Sequence, residues 1–309
     1  MQKTVIPRQF KERYSRLLGQ ENKLFLKFCE KKLRKTLRVN TLKISPQKLK
    51  EILELKGLKL KKLGFCDYAF SVEEGPERLG LMLEHELGLF YLQEASSLIP
   101  SIALNPKENE TVLDLAAAPG SKTTHLAQLM KNKGLLYAAD ISSDRIPSLK
   151  YNVERMGIIN TVIINADATK FNPGIQFDKI LLDAPCSSEG LVRKEWNALS
   201  TWSEKLIFEK SGLQKKLILN AFSLLKKGGE LVYSTCTLAP EENEEVIDFL
   251  LKKKNNARIE KIELKGFKTR KGITEWKEKK FSAEAEKALR IYPQDNDTEA
   301  FFIAKIGKE

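Results

Sequence analysis

Cysteine is scarce in this chain: Cys29, Cys66, Cys186 and Cys236 are the four among 309 residues, and no two share Cys-x-x-Cys spacing. That spacing excludes the common zinc clusters and a dense disulfide framework. Histidine is scarcer still, since His85 and His125 are the only two, far apart and without clustered acids. No metal site is expected from them. Long apolar runs are also missing: the longest, such as Ile158 to Ile164 and Lys179 to Leu182, are interrupted by polar residues and fall far short of the roughly 20 residues that span a bilayer. Near the N-terminus, Lys11 to Arg16 and Lys31 to Arg34 break up every candidate signal stretch. A reduced, cytoplasmic chain is the expectation. What is present is a hydrophobic content of 42% with 15 Phe, enough to bury one large domain or two modest ones.

Charge is distributed unevenly. Residues 1 to 62 carry 19 Lys/Arg against 5 Asp/Glu, a surplus of 14 that exceeds the +12 of the whole chain. Residues 63 to 105 reverse the sign, with Arg78 alone against seven acids. A basic block of this kind releases counterions when it neutralises phosphates, so nucleic acid is the natural partner. A lysine-rich solvated surface would give the same composition, so charge alone does not decide function.

The hydrophobic pattern divides the chain near residue 105. The first part, 1–105, reads as a basic α/β RNA-binding region. It holds an amphipathic helix over Arg8 to Glu30, a β-like Leu37 to Leu42, a helix opened by Ser45-Pro46 and closed by Gly57, and strands near Leu58 to Leu63 and Tyr68 to Val72. The second part, 106–309, repeats apolar strand, turn and helix, which predicts a doubly wound, mostly parallel α/β sheet. Its strands are placed at Thr111–Leu115, Leu135–Ala139, Thr161–Ile164, Phe177–Leu182, Glu230–Ser234 and Ala300–Ile306. Its helices are placed at Ser121–Lys131, Ser143–Met156, Glu204–Leu225 and Glu241–Lys254.

Ligands of such sheets bind beyond the carboxyl ends of the strands. The first strand runs into Ala116-Ala117-Ala118-Pro119-Gly120-Ser121-Lys122. Small residues there let the backbone approach a ligand, and the helix that follows offers free N–H groups to a carboxylate such as that of methionine. The dinucleotide fingerprint Gly-x-Gly-x-x-Gly is absent, and Ser121 breaks a phosphate loop. Asp140 ends the second strand, where an acid can accept both hydroxyls of a ribose. Asp167, after the third strand, can accept from an adenine amino group, and Arg145 follows Asp140 closely enough to help hold the nucleoside. Each Asp alone is an ordinary turn or cap residue. Together they favour an adenosyl ligand. The fourth strand leads to Asp183-Ala184-Pro185-Cys186 and the fifth to Ser234-Thr235-Cys236-Thr237, so two thiols stand at the mouths of neighbouring strands roughly 5 Å apart. Packing is a poor explanation for that pair.

These segments, together with Pro240-Glu241-Glu242-Asn243, closely resemble the Nop/Sun (RsmB-like) family of S-adenosylmethionine-dependent RNA 5-methylcytosine methyltransferases. The resemblance extends through Leu37–Lys43, Tyr91 to Ser97, Arg290 to Pro293 and Phe301 to Ala304, and so spans most of the chain. It departs at Gln294, where many members have His, and at Ala300, where Gly usually precedes the paired Phe. It implies a seven-stranded Rossmann-like methyltransferase domain, S-adenosyl-L-methionine as cofactor, and RNA as partner, tRNA ahead of rRNA, with a monomer acting without metal or membrane. The cofactor would lie on Ala116 to Lys122, Asp140, Arg145, Asp167 and Asp183.

The chemistry explains two thiols. Carbon 5 of cytosine attacks a methylsulfonium only after a thiolate has added at carbon 6 and made the ring an enamine. By resemblance Cys236 makes this adduct, Cys186 assists its release, Asp183 binds the cytosine edge and Lys122 lines the site. Spacing alone leaves the nucleophile open, because the Pro185-Cys186 pair is similar to the nucleophile motif of DNA cytosine methyltransferases. Trp196 and Trp202, after Arg193-Lys194, could stack on RNA or pack in the core. The target base must leave its stack to be reached. Two rival readings are an amino-group methyltransferase, which would show Asn/Asp-Pro-Pro-aromatic where Asp183-Ala184-Pro185-Cys186 stands, and a noncatalytic RNA-binding assembly factor, which would show a decayed site.

Overall fold

A computed structural model describes residues 6–195 and 197–309. The chain opens with two helices, α1 (Arg8–Leu18) and α2 (Asn22–Cys29), where the amphipathic pattern predicts one. Gly19, at φ 55°, ends α1 in a conformation that disfavours other residues, and a 3-10 turn (Gly19–Glu21) redirects the chain. Next come β1 (Thr36–Val39), α3 (Pro46–Leu55), β2 (Lys59–Leu63), β3 (Cys66–Glu74), α4 (Leu83–Glu86) and β4 (Phe90–Leu92). Ser45 caps α3 by accepting from the Lys48 N–H at 3.3 Å. The four strands form an antiparallel sheet in the order β2-β3-β1-β4, whose core joins Leu37, Val39, Phe70 and Phe90 to Leu49 and Leu53 of α3.

Helix α5 (Ala95–Leu104) has no counterpart in the sequence reading. The carboxylate of Glu94 caps it, accepting from the N–H groups of Ser96 and Ser97, and its Ile99 and Leu104 pack into the larger sheet's core. There β5 (Thr111–Asp114), α6 (Ser121–Leu129), β6 (Leu135–Asp140), α7 (Ile146–Met156), β7 (Thr161–Asn165), β8 (Phe177–Asp183), α8 (Glu204–Leu224), β9 (Leu225–Thr235) and α9 (Glu244–Lys253) alternate as the pattern predicts. The strand pairs β9-β8-β5-β6-β7 are parallel, with β5 at the centre and therefore buried on both faces.

Past α9 the chain adds β10 (Ala257–Glu260), β11 (Arg270–Lys271), a small hairpin of β12 (Glu275–Trp276) with β13 (Lys279–Lys280), β14 (Leu289–Ile291), the short helix α10 (Pro293–Asn296) and β15 (Phe301–Lys308). The sheet order is β11-β14-β15-β9-β8-β5-β6-β7, with β10 also on β15. It has nine strands among the described residues rather than the expected seven. The antiparallel side is the larger departure: two- to four-residue strands such as β10, β11 and β14 are too short to show a period of two in sequence.

The N-terminal helices do not pack on their own sheet. Phe10, Tyr14 and Phe25 cluster with Val192, Trp202, Leu238 and Tyr292 of the larger unit. Arg13 is paired with Glu241 there, and Arg38 of β1 is wholly buried, donating to the Ser121 carbonyl at 3.0 Å and the Thr124 hydroxyl at 2.8 Å. Part of the basic excess of residues 1 to 62 is thus spent inside the fold, which corrects a reading of that block as wholly available to phosphates.

Candidate active site

The site lies where the parallel strands end. After β5 the Ala116–Gly120 loop turns beneath α6, and Asp140, the last residue of β6, holds it: the Asp140 carboxylate accepts from the Ala118 N–H at 2.9 Å and from the Ser142 N–H at 3.0 Å. Asp114, at the end of β5, accepts from the Thr123 hydroxyl at 2.7 Å, and burial pushes its pKa up to about 7. Arg145 precedes α7 rather than lying within its first turn, and its guanidinium reaches the Ala118 carbonyl and lies 3.7 Å from Asp140. Asp167, beyond β7, turns back on the N–H (2.9 Å) and hydroxyl (2.7 Å) of Thr169.

The two thiols meet. Cys186 Sγ and Cys236 Sγ are 3.1 Å apart, and both cysteines are reduced. The register of β8 against β9 sets this, because Asp183 faces Ser234, the Ala184 N–H donates to the Ser234 carbonyl at 2.8 Å, and Cys186 stands three residues beyond β8 while Cys236 directly follows β9. Gly190 then approaches the second turn, donating to the Cys236 carbonyl at 2.9 Å, where a Cβ would stand 2.7 Å from that oxygen and 2.5 Å from the Ala300 carbonyl. Only glycine fits without displacing backbone.

The hydrogen bond to Cys236, together with burial, raises the Cys186 thiol well above its ordinary value. Lys122 of α6 donates to the Asp183 carboxylate at 2.6 Å and to the Ser97 hydroxyl at 3.1 Å. Burial works against the charge of Lys122, but Asp183 outweighs it, and the nearby Cys236 adds to the rise in its pKa. Ser234 completes the group by donating to the other Asp183 oxygen at 2.7 Å.

Two cavities converge on these residues. The larger, about 550 Å³, is lined by Gln93, Glu94, Lys122, Lys194, Glu299 and Phe301, among others. The smaller, about 260 Å³, is lined by Asp140, Ile141, Asp167, Pro185, Cys186 and Leu217, among others. Ala116, Ala118, Arg145, Asp183 and Cys236 belong to both, so Cys236 stands at their junction whereas Cys186 faces the smaller one. The smaller cavity suits S-adenosylmethionine: an acid for a ribose, an acid for an amino group, and apolar walls at Ile141 and Leu217 for a planar ring.

A buried polar network that sequence reasoning missed supports both cysteine turns. Glu242 accepts from the Ser187 N–H (2.9 Å), the Ser187 hydroxyl (2.5 Å) and Gln214 (2.9 Å), and burial pushes it up to about 7. Glu189 accepts from the Thr237 hydroxyl (2.6 Å) and Trp202 (2.5 Å), with Tyr14 beside them. Arg290 grips Glu244 through two bonds of 2.6 and 2.5 Å. The predicted helix over Glu241–Lys254 begins only at Glu244 because Glu241 to Asn243 are drawn into this network. The Pro240-Glu241-Glu242-Asn243 run was its only signal in the sequence.

Trp202 is therefore a core residue, and Arg193, bound to Lys31, Lys32, Asp297 and Thr298, is no free RNA clamp. Trp196 lies outside the described residues. His125 is buried, with its Nε2 bonded to the Tyr68 hydroxyl at 2.9 Å and its Nδ1 without a partner, and it sits in the core rather than in a metal site. Among the described residues no cluster with metal-ligand character occurs, and no helix is long and apolar enough to cross a membrane.

A doubly wound sheet with a small-residue loop after its central strand, acids after the next two and a pocket at their mouths defines a class I S-adenosylmethionine-dependent methyltransferase. The paired thiols narrow the class. Residues 101–307 match the 16S rRNA methyltransferase RsmB/F family and residues 6–95 match the N-terminal domain of 16S rRNA methyltransferase RsmF. The chain belongs to this family of RNA cytosine-5 methyltransferases. It is 45% identical to a tRNA (cytosine(49)-C(5))-methyltransferase of Pyrococcus abyssi, over 98% of this chain and 96% of that one. It is 43% identical to the ribosomal RNA small subunit methyltransferase F of Vibrio campbellii over 98% of this chain, but spans only 63% of that protein. The crystal structure of NSun6 from Pyrococcus horikoshii with SFG superimposes with a TM-score of 0.88 at 28% identity, covering 99% of each chain.

Proposed function

We propose that this protein methylates carbon 5 of a cytosine in tRNA, with Cys236 as the nucleophile and Cys186 as the residue that releases the product. The carrying observation is the 3.1 Å thiol pair in which Cys236 alone faces both cavities. The smaller cavity holds the cofactor through Asp140, Asp167, Arg145 and the Ala116–Ser121 loop, and the larger takes the flipped base. Bound S-adenosylmethionine supplies an electrophilic methyl group. Cys186, held as a thiol, donates to the Cys236 sulfur and, with Lys122, stabilises its thiolate. The Cys236 thiolate bonds to carbon 6, the ring's electrons move towards carbon 5 and ring nitrogen 3, and Asp183 stabilises the proton taken up at that nitrogen. After carbon 5 has gained its methyl, and with Cys236 bonded to carbon 6 and no longer holding the Cys186 proton, Cys186 passes that proton to water and as a thiolate takes the carbon 5 proton; the electrons of that C–H bond restore the double bond and Cys236 leaves as a thiolate.

The tRNA assignment follows the relative matched over 96% of its length at 45% identity. The Vibrio relative keeps rRNA as a second reading. A cytoplasmic monomer is part of the proposal, to be checked by light scattering. Denaturing gels with labelled RNA separate the thiol roles. Cys186→Ala should accumulate a slow-migrating adduct, while Cys236→Ala and the double variant should form none. The reverse pattern would make Cys186 the nucleophile, and bisulfite sequencing of total RNA with and without the gene would decide between tRNA and rRNA.

A further inference from the structure

The reaction needs both sulfurs reduced, and their placement opens them to a second chemistry. Cys186 Sγ and Cys236 Sγ stand 3.1 Å apart, and a disulfide needs about 2.05 Å, so each sulfur has roughly half an ångström to travel. The turns that carry them are fastened to each other: the Gly190 N–H donates to the Cys236 carbonyl at 2.9 Å and the Ser187 hydroxyl donates to the Thr237 hydroxyl at 3.2 Å. The sulfurs are therefore held as neighbours whether or not a substrate is bound. Cys236 lines the cavity of about 550 Å³, wide enough for a small solute to reach it from solvent, whereas Cys186 lies behind it on the smaller cavity. The other two cysteines differ. Cys29 and Cys66 are 3% and 4% exposed, and burial pushes their thiols up to about 12 and about 11. A buried, protonated thiol is inert.

We propose that Cys186 and Cys236 form a redox-modification site, at which a hydroperoxide joins the two sulfurs in a disulfide and reversibly silences the protein. This rests on Cys236 being the nucleophile of the proposed reaction. The Cys236 thiolate attacks one oxygen of hydrogen peroxide, the O–O bond breaks, hydroxide leaves and Cys236 becomes a sulfenic acid. The Cys186 sulfur then attacks the Cys236 sulfur. The S–O bond breaks, and its oxygen departs as water with the Cys186 proton. The two sulfurs together have lost two electrons, and the peroxide has been reduced to hydroxide and water. The order follows from the site: at rest the hydrogen bond to Cys236 and burial keep the proton on Cys186, so Cys236 meets the oxidant first and Cys186 resolves. The disulfide leaves no thiolate to add to carbon 6 and no second thiolate to take the carbon 5 proton. A small dithiol reverses it by exchange.

The test treats the full chain with hydrogen peroxide and reads intact mass, peptide maps and the yield of covalent adduct with a 5-fluorocytosine-substituted tRNA transcript. The wild-type protein should lose the mass of two hydrogens, show one peptide pair joined through Cys186 and Cys236, and lose adduct yield about tenfold or more, with full return on dithiothreitol. Cys186→Ser, whose adduct before treatment reports that it is folded, should lose the same yield without return, because a sulfenic acid that meets no second thiol goes on to the irreversible sulfinic acid. Saturating tRNA, added first, should slow the oxidation about tenfold by covering Cys236. Equal rates with and without tRNA would put the oxidised thiol outside the base cavity and overturn the site. So would a gain of oxygen in place of the lost hydrogens in the wild type, a disulfide through Cys29 or Cys66, or recovery of Cys186→Ser on reduction. An untreated protein whose adduct forms through Cys186 sinks the nucleophile reading and the order of oxidation with it, whereas a Cys236 adduct that peroxide never abolishes sinks this inference alone.

Discussion

Asp140 offers the sharpest test of the cofactor site. A carboxylate has about four acceptor positions, and the fold uses two of them, for the Ala118 and Ser142 N–H groups. Two remain, matching the two hydroxyls of a ribose. Asp140→Asn preserves volume, but its amide nitrogen must then face one of the two backbone N–H groups or the ribose, and the charge is lost. Each charge-assisted bond contributes about 1.5–3 kcal/mol. Losing both therefore costs about 3–6 kcal/mol, on the order of 10²–10⁴-fold in Kd. Isothermal titration of S-adenosylmethionine into the RNA-free protein measures this directly. A cofactor analogue lacking one ribose hydroxyl should bind the wild type at least tenfold more weakly and the Asn variant no worse than the parent compound does. Binding within threefold of wild type, in a variant with unchanged melting temperature, would refute the assignment of Asp140 to the ribose.

Arg13→Ala breaks a buried pair with Glu241 in which both side chains are less than 5% exposed, and should cost about 3–5 kcal/mol, visible as a lower midpoint in thermal or urea unfolding. Replacing exposed Lys48, Lys61 and Lys62 with Ser should leave cofactor affinity intact and reduce the slope of log RNA affinity against log salt by about 1 for each lysine that meets a phosphate; an unchanged slope returns them to a solvating role. Asp114 and Glu242 bind their protons more tightly folded than unfolded, with folded values of about 7 against ordinary values near 4. Their stabilising contribution is complete below pH 4, falls by about 1.4 kcal/mol per pH unit for each group up to about pH 7, and is absent above it. Asp114→Asn should therefore flatten the melting temperature between pH 5 and 7 relative to wild type, and parallel profiles would contradict the raised value.

Apolar runs of four or more residues were enough to read the parallel half of the sheet, from Thr111 to Thr235, because most strands there are followed by a turn and a helix, β7 alone passing by a loop to the next strand. Chemistry at the strand mouths was legible for the same reason: in a doubly wound sheet the residue after each strand is placed by the strand itself, so Asp140, Asp183, Cys186 and Cys236 could be named from order alone. The sequence could not show that the two sulfurs would lie 3.1 Å apart, since the β8–β9 register and the Glu242 and Glu189 network joining the two turns arise only from packing. Nor could composition separate Arg13 and Arg38, buried in the fold, from lysines left for solvent. Glu299 lay unremarked next to the paired Phe, because an acid in sequence carries no sign of its burial. Sequence order placed these candidate groups at one end of the sheet. Only the tertiary structure decided their distances and their burial, because both depend on how the strands register and what packs over them.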